Sequence, residues 1–386
     1  MLTESEVRAL TAFTADGYLL TSMYFHVPKI QTLSHSKEQI ALKDLFREAR
    51  RRWDHGPLSK AQAESLEQDS QRMIEFLSAQ TEDGRRDQAL FACSVRGFFK
   101  AISLPRSPDT KVCVGDSFCI RPLVAQLDAY PRHCVVVVDR EKAALYLFGM
   151  GEVEQRTSMQ HDVPSHTRES GFGGYLERRI ERHVDQEIQR HYQQVIEQLQ
   201  ALFKRYRFER LILAGHKENK AEFEKLLPEE LRRRVIGRFV IDAKVATLDQ
   251  VRLKALEVLR EHERDRKQRL IQQALDNAGP MGRAVIGLDG MLGALQKREV
   301  QILLIGDNLG AGGKRCANCG FLGGVSLKEC PNCAGPLSAV EDVVEHAISR
   351  AIRDGAEVRF IDGSADFERA GNIAALLRYR SELRAT

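Results

Sequence analysis

The stretch HCVVVVDREKAALYLFG, residues 133–149, decides the class of fold of this 386-residue chain. It consists of two apolar runs, residues 134–138 and 143–149, separated by the polar residues 139–142. Two such runs, rich in valine and aromatic residues and joined by a short polar segment, predict a β-hairpin. A third strand is predicted around residues 153–157, so the hairpin is expected to be part of a larger sheet.

A long amphipathic helix is predicted after these strands. Its apolar side chains recur every three or four residues, which puts them on one helix face. They are Leu176, Ile180, Val184, Ile188, Tyr192, Val195, Leu199 and Leu202. Buried strands are predicted at residues 211–215 and 239–242, and another long helix at residues 253–277. Strands that alternate with helices in this way predict an α/β layer around a central sheet.

The length of the chain predicts two or three domains, because a typical domain has ~150 residues. Turn-forming prolines and glycines near residues 130 and 279 mark the boundaries. We therefore predict three α/β domains in tandem: an N-terminal domain at residues 1–130, a middle domain at residues 131–277 and a C-terminal domain at residues 278–386. The C-terminal domain is expected to have an α/β/α pattern with a cysteine-rich insert.

Composition excludes several classes of protein. Hydrophobic residues make up 43% of the chain and charged residues 29%, unlike disordered or fibrous proteins. No run of 18 apolar residues occurs, and the first 20 residues lack the basic-then-apolar order of a signal peptide, so we expect a cytoplasmic protein. The net charge of +4 is too small to indicate nucleic-acid binding by itself.

Four of the eight cysteines form two Cys-x-x-Cys pairs in one short segment, residues 316–333. The first pair is Cys316 with Cys319 and the second is Cys330 with Cys333, and ten residues separate the two pairs. In a reducing compartment this spacing predicts a tetrahedral zinc site made of four thiolates. Four protein ligands leave no open position for water, so the zinc is expected to be structural.

A glycine-bearing polar loop leads into the long helix at residues 165–175, SHTRESGFGGY. Two interpretations are open for it. Backbone N–H groups and the positive end of the helix dipole favour an anion, and nearby arginines add charge. Alternatively, this is a connecting loop, and its arginines pair with Glu177 and Glu181 as on many exposed helices. No nucleophile elbow, zinc-protease helix or kinase motif occurs elsewhere.

Three segments carry a resemblance to a known family: residues 163–198 with the following 211–223, residues 287–309, and the cysteine ribbon with the ending GNIAALLRYR. In this order they resemble the archaeal and eukaryotic class-1 release factor and Pelota superfamily, most closely its bacterial members. The resemblance covers residues 131–386 well and the N-terminal domain only loosely. It implies an RNase H-like middle domain and a ribosomal-protein-like C-terminal domain with an inserted zinc ribbon.

The departures from the family pattern bear on activity. Gly173 and Gly174 match the family's two tip glycines, but Tyr175 stands where release factors have the glutamine that positions the hydrolytic water. Tyrosine offers one phenolic hydroxyl in place of an amide. The N-terminal domain has neither the Asn-Ile-Lys-Ser nor the Tyr-x-Cys-x-x-x-Phe motif of stop-codon readers. Among bacterial members the sequence is most similar to the group of the ribosome hibernation factor Balon.

The resemblance thus implies a non-catalytic translation factor that occupies the A site of idle or stalled ribosomes. Its expected partners are the 70S ribosome, including rRNA, and EF-Tu or a related translational GTPase. The residues expected to contact RNA are His166, Arg168, Gly173, Gly174, Tyr175, Arg178 and Arg182, with no catalytic residue. Two alternatives stay open: a peptidyl-tRNA hydrolase or rescue factor with a remodelled loop, and a zinc-stabilised cytosolic interaction protein.

Overall fold

The computed structural model describes residues 3–27, 35–53, 57–80, 86–104, 109–160, 174–279 and 281–380. The chain divides into two compact units. The first unit consists of residues 1–129 together with residues 267–386, and the second consists of residues 130–266. Among the described residues, no helix combines the length and the hydropathy that crossing a membrane requires.

The N-terminal part of the first unit is built on a four-stranded antiparallel sheet. Its elements are α1 (Glu4–Ala12), β1 (Leu20–Phe25), α2 (His35–Arg51), α3 (Lys60–Ser78), β2 (Asp87–Cys93), β3 (Phe98–Leu104), β4 (Lys111–Gly115) and α4 (Arg121–Ala129). The strand order is β3-β2-β1-β4. Alternate residues of a strand share a face, so Met23 and Phe25 of β1 pack together against Leu42 and Phe46 of α2 and Met73 of α3.

The second unit contains the hairpin that residues 133–149 predict. Its elements are β5 (His133–Val138), β6 (Lys142–Gly149), β7 (Glu152–Gln160), α5 (Gly174–Tyr206), β8 (Arg210–Ala214), α6 (Lys217–Leu226), α7 (Glu229–Arg232), β9 (Val235–Phe239) and α8 (Leu248–Asp276), whose last ten residues belong to the first unit. The strand order is β7-β6-β5-β8-β9. Strands β5, β6 and β7 form an antiparallel meander, whereas β5, β8 and β9 are parallel.

Both faces of this sheet are covered by helices, as a central sheet requires. Cys134, Val136 and Val138 of β5 belong to a core that α5 completes. Val135 and Val137 point to the opposite face, where Val251 and Ala255 of α8 pack. The predicted apolar stripe of α5 is confirmed from Val184 to Leu202, because all six of its members there are buried.

One predicted strand of the second unit is wrong. The sequence places it at residues 239–242, but the structure has β9 at Val235–Phe239. β9 is an edge strand that is only half-buried and contains Gly237 and Arg238, so it lacks a continuous apolar run. Val240, which suggests a buried strand, is 56% exposed.

The C-terminal part of the first unit has its own mixed sheet and the predicted insert. Its elements are β10 (Ala284–Ile286), α9 (Leu288–Gln296), β11 (Val300–Gly306), β12 (Gly313–Cys316), β13 (Leu322–Gly323), β14 (Leu337–Val340), α10 (Val343–Arg353), β15 (Glu357–Ile361), α11 (Ala365–Arg369) and β16 (Ile373–Leu377). The main sheet has the order β10-β16-β11-β15, and β12, β13 and β14 form the ribbon. The α/β fold class is thus confirmed, while the boundaries of three separate domains stay a prediction.

Candidate metal centre and candidate RNA interface

The cysteine ribbon brings the four predicted ligands together. The four sulfur atoms of Cys316, Cys319, Cys330 and Cys333 all lie within 4.8 Å of one another. Three of the Sγ–Sγ distances are 3.5 Å: Cys316 to Cys333, Cys319 to Cys330, and Cys319 to Cys333. The sequence prediction of one four-cysteine cluster agrees with this geometry.

Tight turns hold each Cys-x-x-Cys pair in place. The N–H of Gly320 donates to the carbonyl of Cys316 at 3.0 Å, and the N–H of Ala334 donates to that of Cys330 at 2.8 Å. Gly320 has a φ of +68°, a region that favours glycine. A Cβ at Gly335 would lie 2.6 Å from the amide nitrogen of Asn318 and 3.2 Å from the sulfur of Cys333, so a larger residue there would displace the Asn318 side chain.

Hydrogen bonds lower the pKa of two of the four thiols in this cluster. A hydrogen bond with the Asn332 side chain, helped by the backbone of Phe321, lowers the pKa of Cys319 to about 6. Backbone hydrogen bonds near Cys319 also lower the pKa of Cys316. At Cys333 the backbone of Gly335 lowers the pKa, but the sulfurs of Cys316 and Cys319 raise it to about 12. Four adjacent thiolates therefore need a cation to coexist.

The residues present fit a zinc ion. With Zn–S bonds of ~2.3 Å, tetrahedral ligands have sulfurs ~3.8 Å apart, close to the 3.5 Å distances of this cluster. Cys316, Cys319, Cys330 and Cys333 would supply all four ligands, and bound zinc would tie the two halves of the ribbon together.

Charged groups join the N-terminal and C-terminal segments inside the first unit. The half-buried residue Glu345 accepts hydrogen bonds on its carboxylate from the N–H groups of Ile120 and Arg121, at 2.7 and 3.2 Å. Burial raises the pKa of Glu345, although these two hydrogen bonds oppose the shift. The guanidinium of Arg121 donates to the carbonyl of Leu309 at 2.6 Å.

A second carboxylate makes a similar connection. Asp128, which is 3% exposed, accepts from the guanidinium of Arg359 at 2.9 Å and from the N–H of Phe360 at 3.0 Å. The ammonium of Lys267 lies 3.4 Å from the same carboxylate. We call Arg121, Asp128, Glu345 and Arg359 the junction. Sequence reasoning missed it because its partners are more than 180 residues apart along the chain.

The residues predicted to contact RNA are placed only in part. His166, Arg168 and Gly173 lie outside the described residues. Gly174 is the first residue of α5, and Tyr175 and Arg178 lie within its first two turns. Arg182 follows Arg178 by four residues, and the side chain of Arg182 is exposed. The choice between an anion site and Glu177–Arg pairing stays open.

Comparison with known proteins identifies relatives of the chain. A model of the bacterial archaeo-eukaryotic release factor family 10 matches residues 119–267. Peptide chain release factor subunit 1 of Thermococcus sibiricus is 28% identical over 295 residues, 68% of this chain and 70% of its own length. The same factor of Thermococcus kodakarensis is 26% identical over the same shares.

A solved structure is similar over nearly the whole chain. In a structure of ribosome-bound archaeal Pelota and ABCE1, the match covers 98% of this chain and 94% of the other chain, with 15% sequence identity and a TM-score of 0.43. The family match at residues 119–267 includes the first of the three segments that carry the resemblance in the sequence, residues 163–198 with 211–223. The chain is therefore similar to bacterial archaeo-eukaryotic release factors in its middle part and to archaeal peptide chain release factors over about two thirds of its length.

Proposed function

We propose that this protein is a ribosome-binding translation factor that occupies the A site of idle or stalled ribosomes without releasing the nascent peptide. Similarity to archaeal peptide chain release factors supports binding to the ribosome. The observation that carries the non-hydrolytic role is Tyr175, which follows Gly173 and Gly174 where the resemblance expects glutamine. In this respect the protein resembles the hibernation group of Balon.

In this proposal the loop at residues 165–174, which we call the tip, reaches the peptidyl transferase centre. Two glycines permit close approach of the backbone to RNA, and the first turn of α5 presents the positive end of a helix dipole. Arg178 and Arg182, together with Arg168 and His166, contact RNA phosphates. Tyr175 stacks on an unpaired base, a contact worth ~1–3 kcal/mol in single-strand systems.

Co-sedimentation with 70S ribosomes tests the binding step. Replacing Arg178 and Arg182 by glutamate should weaken binding, because phosphate contacts are lost and the added charge is repelled. The matched control is Arg190→Glu with Arg252→Glu, since these exposed arginines of α5 and α8 already pair with Glu187 and Asp249. Equal losses in both double variants would contradict a role for the tip.

Peptide release separates the proposed role from its enzymatic alternative. Wild-type protein added to stalled ribosome complexes should release peptide no faster than background, and Tyr175→Gln should leave ribosome binding largely intact. Release by the wild type well above background would replace the hibernation role by peptidyl-tRNA hydrolysis. Co-sedimentation with EF-Tu in the same gradients tests for the GTPase partner.

The ribbon holds one structural zinc ion in this proposal. Elemental analysis of protein purified without chelator should give one zinc per chain. Cys316→Ser should lose it and destabilise the ribbon, because structural zinc contributes folding free energy directly. Cys113→Ser, at a half-buried cysteine outside the ribbon, is the matched control and should keep its zinc. A zinc-free wild type, or a native disulfide between Cys319 and Cys330, would contradict the site.

Three domains with linkers near residues 130 and 278 are part of the same proposal. Limited proteolysis should release a stable fragment of about residues 131–277. Cleavage near residue 266, inside α8 at the boundary of the two compact units, would argue against the second linker. One protease-resistant core containing the N-terminal and middle domains would contradict the first.

A further inference from the structure

A group of basic and aromatic side chains lies at the end of α5 in the second unit. We call it the Phe203 arginine cluster; it comprises Phe203, Lys204, Arg205, Tyr206, Arg207 and Arg234. The guanidinium carbons of Arg207 and Arg234 lie 5.5 and 4.4 Å from the centroid of the Phe203 ring. Two guanidinium groups thus share one aromatic ring, which is 4% exposed. Beside them, Arg205 lies 5.1 Å from the ring centroid of Tyr206.

The positive charges of this cluster have no carboxylate partner. Among the described residues, no Asp or Glu oxygen lies within ion-pair distance of its four cations: Lys204, Arg205, Arg207 and Arg234. Neighbouring arginines differ in this respect. Arg233, next to Arg234 in the chain, pairs with Glu229 at 2.8 Å, and Arg132 pairs with Glu154 at 2.9 Å. Arg234 donates one hydrogen bond to the backbone carbonyl of Glu230. Arginine has five N–H donors and no acceptor, so the remaining donors of the cluster suit an acceptor-rich partner.

The helix dipole explains only part of the cluster. Cations in the last turn of a helix are favourable, which accounts for Lys204 and Arg205. It does not account for Arg234, which comes from the segment between α7 and β9 and shares the Phe203 ring with Arg207. Two like charges on one ring repel each other, and stacking on the aromatic face keeps them there in the absence of an anion.

We propose that the Phe203 arginine cluster binds the phosphodiester backbone of ribosomal RNA. This inference rests on the proposed function and adds to it a contact far from the tip. The guanidinium fork matches the oxygens of a phosphate, and the buried Phe203 ring holds two such forks side by side. An exposed array of cations, rather than an enclosed pocket, suits an extended polyanion.

The length of α5 sets how far apart the two contacts are. Its 33 residues rise by ~1.5 Å each, so the cluster and the tip are about 50 Å apart along the helix. A contact of this kind would anchor the second unit on RNA at the end of α5 opposite to Gly174. Loss of the cluster is therefore expected to weaken ribosome binding independently of the tip.

The test compares two double variants with the same change of charge. Arg207→Glu with Arg234→Glu removes the shared-ring pair, whereas Arg190→Glu with Arg233→Glu removes two exposed arginines that already pair with Glu187 and Glu229. Binding to 70S ribosomes is measured by co-sedimentation over a series of salt concentrations. We expect the cluster variant to bind about tenfold more weakly, with a salt slope shallower by about 1.4–1.8, while the control stays within about twofold of wild type.

A third variant serves as the control that separates loss of binding from loss of folding. Arg207→Lys with Arg234→Lys keeps both charges, so it should retain most of the binding, and its thermal unfolding should match that of the glutamate variant. If the lysine variant binds as poorly as the glutamate variant and both unfold at a lower temperature than the wild type, the arginines act through the fold and the inference is overturned.

The result that would overturn this inference differs from the result that would overturn the proposed function. If wild type binds 70S ribosomes and the cluster variant binds as tightly as its control, only the inference is overturned. If wild type does not bind ribosomes, the proposed function is overturned, and binding to a labelled fragment of ribosomal RNA decides the inference. In that assay a tenfold loss in the cluster variant supports it, and affinities equal to the control overturn it.

Discussion

The junction of the first unit and the Phe203 arginine cluster of the second contain the same residue type in opposite surroundings. At the junction, Arg359 is mostly buried and bonded to the carboxylate of Asp128. Burial lowers the pKa of Arg359, but the charge and hydrogen bond of Asp128 more than compensate and raise it. In the cluster, Arg207 is exposed and Arg234 half-buried, and an aromatic ring is their neighbour instead of an acid.

The difference shows that the partners of an arginine, and not its presence in the sequence, decide its role. A buried and paired arginine is needed for folding, because removing its partner leaves a desolvated charge. An arginine stacked on a ring keeps most of its N–H donors for another molecule. The following predictions test this contrast, beginning with the largest expected effect.

Asp128→Ala should be the most damaging of these changes. It leaves Arg359 without its buried partner and removes the acceptor for the N–H of Phe360, so we expect the free energy of unfolding to fall by about 3–5 kcal/mol. Chemical denaturation of the full chain measures this loss. Asp44→Ala breaks an exposed pair with Arg47 in the same unit and should cost less than about 1 kcal/mol. Similar losses in both variants would contradict the structural role of the junction.

Much of the fold follows from local patterns in the sequence. The valine run at residues 134–138 and the stripe from Val184 to Leu202 identify β5 and α5, because burial imposes its period on the residues. The two Cys-x-x-Cys pairs likewise identify the metal centre, since each pair sets its own local geometry. An edge strand such as β9 lacks this information, because only one neighbour constrains it.

The junction and the cluster could not be predicted from the sequence for a different reason. Asp128 and Arg359 are 231 residues apart, and nothing local indicates that they meet. The basic residues at 204–207 and 232–234 are visible in the sequence, but charge alone does not separate Arg233, which pairs with Glu229, from Arg234, which does not pair with an acid. Only the tertiary structure distinguishes a neutralised arginine from an available one.

A buried histidine of the second unit extends the contrast to a group that changes its charge with pH. His133 is 1% exposed and its ring stacks on Phe148. Its Nδ1 atom lies 2.9 Å from the carbonyl oxygen of Pro131. Burial lowers the pKa of His133 to about 4, helped by the charge of Arg210 and opposed by the hydrogen bond to Pro131. The unfolded chain, with an ordinary pKa near 6.5, therefore binds the proton first as the pH falls.

This histidine should make the second unit less stable in acid. Neutral His133 contributes to the free energy of unfolding, and this contribution is fully present above pH 6.5. It is lost progressively as the pH falls towards 4, and the total loss is roughly 3 kcal/mol. Hydrogen exchange of the β5 and β8 amides at pH 7 and pH 4.5 measures the change. In His133→Phe, which keeps an aromatic ring against Phe148, this part of the pH dependence should disappear. An unchanged dependence would show that other groups cause it.

Arg207→Gln and Arg234→Gln should have the smallest effects on stability. Each removes a cation–π contact at the protein surface, worth about 0.5–1 kcal/mol, and at the same time relieves the repulsion on the arginine that remains. In a double-mutant cycle measured by chemical denaturation, the second substitution should therefore lower the free energy of unfolding more than the first. The reason is that the repulsion can be relieved only once. Salt screens this repulsion, so raising the ionic strength should stabilise the wild type more than either single variant. If the two substitutions are strictly additive and insensitive to salt, the two guanidinium groups do not interact, and the contrast with the paired arginines of the junction loses its electrostatic basis.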